Sequence, residues 1–292
     1  MYELIQATES TFYMDCPSKV GFFRIGEDAV VLIDSGSDKD AAKKAKRILE
    51  DRGWSLKAIF NTHAHADHIG GNAYLQAQTD CRIYAPGVER SFTEYPFLEP
   101  VSLFGGHAPL GLQNKFLMAK PSRAEELTDS VLPRGLRRID LPGHSYAMTG
   151  FQTDDGAVFL ADCLAGEETI KKYRIGYLYD VAAYLDTLEK VKTLRGVCFI
   201  PSHAEKTADI APLAQINIDT TKEIADTLKR LLVVPKTFDE LLSAVFSEYG
   251  LAMNLSQYAL IGSTVRAYLS YLEAGEKVRL SATENRMLWQ SL

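Results

Sequence analysis

Asn61-Thr62-His63-Ala64-His65-Ala66-Asp67-His68-Ile69-Gly70-Gly71-Asn72 places three histidines and an aspartate within six residues, in a chain that has only six histidines. Imidazole and carboxylate are ligands for zinc, manganese or iron. His63 and His65, two apart, can point the same way from an extended loop end. Asp67 and His68 can then serve a second, adjacent ion. The apolar run Leu56–Phe60 reads as a buried strand that gives this loop a rigid base, and Gly70 and Gly71 let the chain turn into a helix.

The pattern resembles the H-x-H-x-D-H signature of the metallo-β-lactamase superfamily. That resemblance implies an α+β fold, an αββα sandwich with metals at one edge, and three further ligands after later strands. Leu141-Pro142-Gly143-His144 is similar to the family's third histidine, Phe159-Leu160-Ala161-Asp162 to its bridging aspartate, and Ile200-Pro201-Ser202-His203 to its last histidine. Asp34, in Leu32-Ile33-Asp34-Ser35-Gly36, resembles the aspartate that orients the ligand loop from behind. Carried over, one site is His63, His65 and His144. The other is Asp67, His68 and His203, and Asp162 bridges them. The implied enzyme is a hydrolase with two divalent ions, zinc first and iron or manganese otherwise. A hydroxide shared by the ions attacks the substrate, and Asp67 takes a proton in the transition state. A purely structural metal site is the alternative, but such sites are usually cysteine-rich and four-coordinate.

Two departures from the family pattern alter the loops without removing a ligand. His144 is followed by Ser145-Tyr146-Ala147-Met148 rather than Thr/Ser-Pro-Gly, and His203 sits between Ser202 and Ala204 rather than between glycines. Asp162 argues against the zinc β-lactamases known as resistance enzymes, which tend to use cysteine there. His65 argues against the flavodiiron branch. Cys163 should point away from Asp162 on a strand and reads as core. His107 reads as a surface or loop residue, with the site's mouth as the alternative. Lys171-Lys172-Tyr173-Arg174 is either a solvated helix end or a patch that meets an anionic substrate group.

The elements that must hold these residues follow from the periodicity. Tyr2–Ala7, Thr11–Met14, Lys19–Ile25 and Ala29–Ile33 read as strands, with a hairpin at Gly26-Glu27-Asp28. Ser37 or Asp38 caps a helix running to about Arg52. Strands return at Leu136–Leu141, Gly150–Thr153, Val158–Ala161 and Val197–Ile200, with a helix at Tyr179–Leu194. Residues 88–138 show no clear period and read as a substrate-facing lid or insert. Within them Phe92–Met118 is a substrate wall, a homodimer contact or packing against the sandwich.

With 292 residues, two domains are expected at about 150 residues each. We divide the chain into a catalytic part, 1–212, and a tail, 213–292. Helices are expected at Ile216–Leu232, Thr237–Tyr249 and Ser256–Leu272, then a β-ribbon from Lys277–Leu280 and Arg286–Leu288. The tail resembles the winged-helix module of a branch that includes a β-lactamase-like ribonuclease and hydrolases related to glyoxalase II. From Gln215 onward there are eight Lys/Arg and nine Asp/Glu, a net of −1, which argues against nucleic acid. A lid or dimerisation module is the preferred reading.

Composition is ordinary and mildly acidic, 46% hydrophobic and 24% charged with a net charge of −6. The four scattered cysteines read as buried thiols. The start lacks the features of a signal peptide and no apolar run spans a bilayer, so a cytoplasmic protein without membrane contact is expected. The leading functional expectation is hydrolysis of a small ester-like molecule, a thioester or lactone. A single-stranded RNA phosphodiesterase and a mononuclear-iron persulfide dioxygenase are the alternatives.

Overall fold

The computed structural model describes residues 2–292. Seven strands form the first sheet, in the order β1 (Glu3–Gln6), β2 (Thr11–Asp15), β3 (Val20–Arg24), β4 (Ala29–Ile33), β5 (Ser55–Phe60), β6 (Arg82–Ala85) and β7 (Glu125–Glu126). The first four are an antiparallel meander, and β4 to β7 run parallel. Parallel strands need crossovers. The first is α1 (Lys39–Asp51), capped by Asp38, whose Oδ1 accepts from the amides of Asp40 and Ala41. The second carries the histidine-rich loop, α2 (Ala66–Ile69) and α3 (Asn72–Thr79). The third is the insert, with α4 (Glu89–Glu94) and α5 (Leu98–Phe104).

The second sheet has the order β11 (Cys198–His203), β10 (Ala157–Ala165), β9 (Thr149–Thr153), β8 (Leu136–Asp140). β10 and β11 are parallel, joined through α6 (Glu167–Tyr173) and α7 (Val181–Lys192). Then come α8 (Ala211–Leu231), α9 (Phe238–Glu248), α10 (Leu255–Ala274) and a ribbon of β12 (Val278–Thr283) and β13 (Arg286–Ser291).

Three apolar layers hold the sandwich. Between the sheets lie Phe23, Ile33, Phe60, Phe151, Phe159 and Ile200. Outside the first sheet, Phe22, Leu32 and Ile59 meet Ala45 and Leu49 of α1 and Leu75 of α3. Outside the second, Val158 and Leu160 meet Leu188 of α7 and Ile218 of α8. That outer core continues without a break into Leu242, Val265 and Tyr268 of the last helices. Among the described residues no helix is long and apolar enough to cross a membrane.

Several expectations change. Residues 88–138 contain short helices: α4 and α5 occupy six and seven residues, too short to display a period, with Pro96 between them and Pro100 in the first turn of α5. α8 begins at Ala211 rather than Ile216, because Pro212 is tolerated in a helix's first turn. β10 runs on to Ala165 through a register shift at Ala161, whose φ is +48°. β6 went unread. The four cysteines are free and buried.

Candidate metal centre

All seven expected ligands come together along one edge of the sandwich. His63 follows β5, His65 is the residue before α2, and Asp67 and His68 lie in α2. His144 occupies the β8–β9 loop, Asp162 lies in β10 and His203 ends β11. Gly143 lets its loop pass close to α7: φ there is +121°, and a Cβ would stand 2.3 Å from the Tyr184 nitrogen.

The ligand atoms converge in two clusters. In the first, His65 Nδ1 lies 3.0 Å from both His63 Nε2 and His144 Nε2. In the second, His203 Nε2 is 3.2 Å from Asp67 Oδ2 and 3.2 Å from Asp162 Oδ2, and His68 Nε2 is 3.1 Å from Asp162 Oδ1. Asp162 also reaches the first cluster, with Oδ2 3.6 Å from His144 Nε2. Tetrahedral bonds of about 2.0–2.1 Å separate neighbouring ligand atoms by about 3.4 Å, so these spacings suit a small divalent ion in each cluster. His68 Nε2 and Asp162 Oδ1 are buried without a well-directed hydrogen-bond partner, as atoms meant for a cation would be.

The electrostatics agree. Burial pushes His65 down to about 4 and His144 to about 3, and drives His63 well below the usual imidazole range. All three rings are therefore neutral, with lone pairs free to ligate. Burial alone would raise Asp162, but His203 and His68 hold it well below the carboxylate range. Asp162 in turn raises His203 to about 10. Burial would lower His68, yet Asp162, Asp67 and Asp34 together raise it well above the usual range. A field that binds protons this tightly also attracts divalent cations.

Asp34 sits behind both clusters, fully buried and in the left-handed region at φ +61°. Its Oδ1 accepts from the Thr62 amide at 2.8 Å. Its Oδ2 accepts from the Thr62 hydroxyl at 2.7 Å and from His68 Nδ1 at 2.8 Å. The same hydroxyl stands 3.0 Å from His63 Nδ1. Asp34 thus orients the His68 ring directly and the His63 ring through Thr62, turning each Nε2 towards its cluster.

Sequence reasoning missed four neighbours. Glu89 of α4 is buried and accepts from the Ala64 amide (3.0 Å), the Ser145 hydroxyl (2.6 Å) and the Ala147 amide (3.0 Å), which ties the His63–His65 loop to the His144 loop. Glu99 of α5 places Oε1 3.6 Å from His65 Nε2, and burial with Glu89 nearby pushes it up to about 8. Ser18 donates to Asp67 Oδ2 at 2.6 Å. Tyr177 lies edge-on to the His65 and His144 rings. Both glutamates come from the insert, where no spacing pattern marked them.

The other candidates fall outside the clusters. Cys163 is fully buried in the outer core, on the far side from Asp162. His107 is exposed. Lys171 pairs with Glu168, whereas Arg174 reaches the rim of a cavity of about 180 Å³ beside His144, Asp162 and His203. Phe92–Met118 packs and also walls the site. Leu103, Leu112 and Leu117 meet Ala259 of α10, and Glu99, Phe116 and Leu117 line a second recess of about 140 Å³ past His65.

Solved structures share this fold. A metallo-beta-lactamase family protein from Thermus thermophilus superposes with a TM-score of 0.75 at 19% identity, over 97% of this chain and 99% of that one. A beta-lactamase domain protein from Burkholderia ambifaria gives 0.74 at 15% identity, over 99% and 94%. A hydroxyacylglutathione hydrolase from Methylococcus capsulatus is 30% identical over 128 residues, 44% of this chain and 41% of the relative. A beta-lactamase-like protein 2 homolog from Drosophila melanogaster is 26% identical over 180 residues, 59% and 54%. The chain thus matches about half the length of these curated relatives. Residues 13–203, which contain every one of the seven clustered ligands, match the model of the metallo-beta-lactamase superfamily, and the chain belongs to that superfamily.

Proposed function

We propose that the chain is a metal-dependent hydrolase with two divalent ions, zinc by preference, that cleaves a small ester-like substrate, a thioester or lactone. The observation that carries this reading is the pair of ligand clusters facing one carboxylate, Asp162. His63, His65 and His144 would hold one ion, and Asp67, His68 and His203 the other, with Asp162 between them. Ions so held supply Lewis acidity towards a carbonyl and a water activated near neutral pH. Asp67 keeps Oδ2 on Ser18 and the second cluster, which leaves Oδ1 to accept a proton. Asp34 and Thr62 fix the ring orientations, and Tyr177 shields the first cluster from bulk water. The relatives named hydroxyacylglutathione hydrolase support a thioester, since a hydroxyacylglutathione is one.

Binding of RNA finds little support in the tail. Arg266 is stacked on Phe238, while Arg230 and Arg286 are paired with Glu248 and Glu240. The deciding experiment is metal analysis of the purified protein followed by a panel of thioesters, lactones, phosphodiesters and a β-lactam. Two zinc ions with thioester or lactone turnover support the reading. One iron with oxygen consumption on a persulfide, or RNA cleavage alone, overturns it.

A further inference from the structure

We infer that the cavity beside His144, Asp162 and His203 seats an apolar acyl group, so that the substrate is an ester, thioester or lactone whose acyl part is about six carbons long or carries one aromatic ring. The inference rests on the hydrolase reading above and narrows it. Leu164, Ile170, Tyr173 and Leu178 wall the cavity on one side, and Ile224 of α8 and Tyr268 of α10 on the other.

The polar side chains on α8 that border it are spent internally. Asn217 accepts from the Ala165 amide at 3.0 Å and the Tyr184 hydroxyl at 3.2 Å, and donates to the carbonyls of Ala165 and Leu213, each at 2.9 Å. Thr220 and Thr221 donate to the carbonyls of Ile216 and Asn217 in their own helix, each at 2.8 Å. Arg174, Thr169 and the tyrosine hydroxyls are the polar groups left in the lining, and an apolar acyl group is favoured against the aliphatic wall of Leu164, Ile170, Leu178 and Ile224. The volume is about 180 Å³, and an apolar cavity of about 150 Å³ holds benzene.

The position identifies the limb of the substrate. Tyr184, Ile224 and Tyr268, all buried, close the inner end, which suits a chain terminus. The recess across the metal cluster runs out past the exposed Phe116 and suits the departing group. The helices of the tail thereby gain a role as the far wall of the acyl site.

The test is a set of thioesters with one leaving thiol and linear acyl groups of two to ten carbons, plus phenylacetyl, on the metal-loaded full chain. Each buried methylene should raise kcat/KM about fourfold up to about six carbons and add nothing beyond. Ile224→Phe should cut the six-to-two-carbon ratio at least tenfold, and Ile224→Ala should move the optimum to longer chains. Melting temperature and metal content, measured alongside, exclude misfolding as the cause. A flat series overturns the inference, as does a length dependence that follows the leaving group or an equal loss at every length in both variants. If no ester or thioester is cleaved, the hydrolase reading fails, and calorimetry of hexanoate against acetate then judges the cavity. Tighter hexanoate binding, abolished by Ile224→Phe, upholds the apolar seat, and equal binding overturns it.

Discussion

Replacing Asp34 by asparagine should weaken both ligand clusters at once, although Asp34 belongs to neither. Asparagine keeps the shape and tolerates the left-handed backbone at φ +61°, so backbone strain does not enter. The carboxylate accepts three bonds, from the Thr62 amide, the Thr62 hydroxyl and His68 Nδ1. An amide has one acceptor oxygen. If its NH₂ replaces Oδ1, it faces the Thr62 N–H donor to donor. If it replaces Oδ2, it donates to His68 Nδ1 and moves that ring's proton to Nε2, the atom meant for metal. It then also reverses the Thr62 hydroxyl, which disturbs His63. One or two buried donors without partners cost about 1–3 kcal/mol each. Loss of an outer partner costs about 10–100-fold in metal affinity. Against a total stability of about 5–15 kcal/mol the fold should survive. Competition with a chromophoric chelator measures both dissociation constants, and urea unfolding measures stability. An Asp34→Asn protein that binds two ions with unchanged affinity refutes the tautomer argument.

Three further outcomes are expected. His68→Ala should bind one ion per chain instead of two and lose hydrolysis on the order of a hundredfold or more, read by metal analysis and turnover; full activity would exclude a two-ion mechanism. Gly143→Ala must place a Cβ 2.3 Å from the Tyr184 nitrogen at φ +121°, so urea unfolding should show a loss of about 3 kcal/mol or more. Asp155 is pushed up by burial, but hydrogen bonds from Thr153, the Ser10 amide and Thr11 outweigh this and leave it net lowered. Its folded pKa therefore lies below the unfolded value of about 3.9. Its contribution, at most about 1 kcal/mol after solvent screening, is present at neutral pH and disappears as pH falls below about 4. Asp155→Asn should thus be less stable than the parent at pH 7 and match it near pH 2 in urea titrations.

The positions of the ligands could be read from sequence because the clustered histidines resemble a family pattern that implies the later ligands, and apolar runs precede several of them. Leu56–Phe60 delivers His63, and Phe159–Ala161 delivers Asp162. Strand ends in such a sheet fall along one edge, so residues 140 apart in the chain meet there. Glu89, Glu99 and Ser18 left no trace, since each acts through contacts between segments whose own periodicity is absent. Helices of six or seven residues such as α4 and α5 lie below the length at which a 3.6-residue repeat can show. The extension of β10 was hidden for a different reason. The bend at Ala161 interrupts the pairing that a strand pattern presumes, and it is that bend which precedes Asp162 in the strand.

The wall that α10 shares with α5 has a consequence for how the protein is made. Leu103 and Leu112 pack against Ala259, across about 150 residues of chain. Synthesis proceeds at about 5–20 residues per second. The last ligand, His203, is therefore polymerised several seconds before α10, which ends at Ala274. In that interval the nascent chain carries all seven ligands while its deepest cover has not been synthesised. A chain released before Ala274 would expose Leu103, Leu112 and Leu117 to any hydrophobic surface nearby.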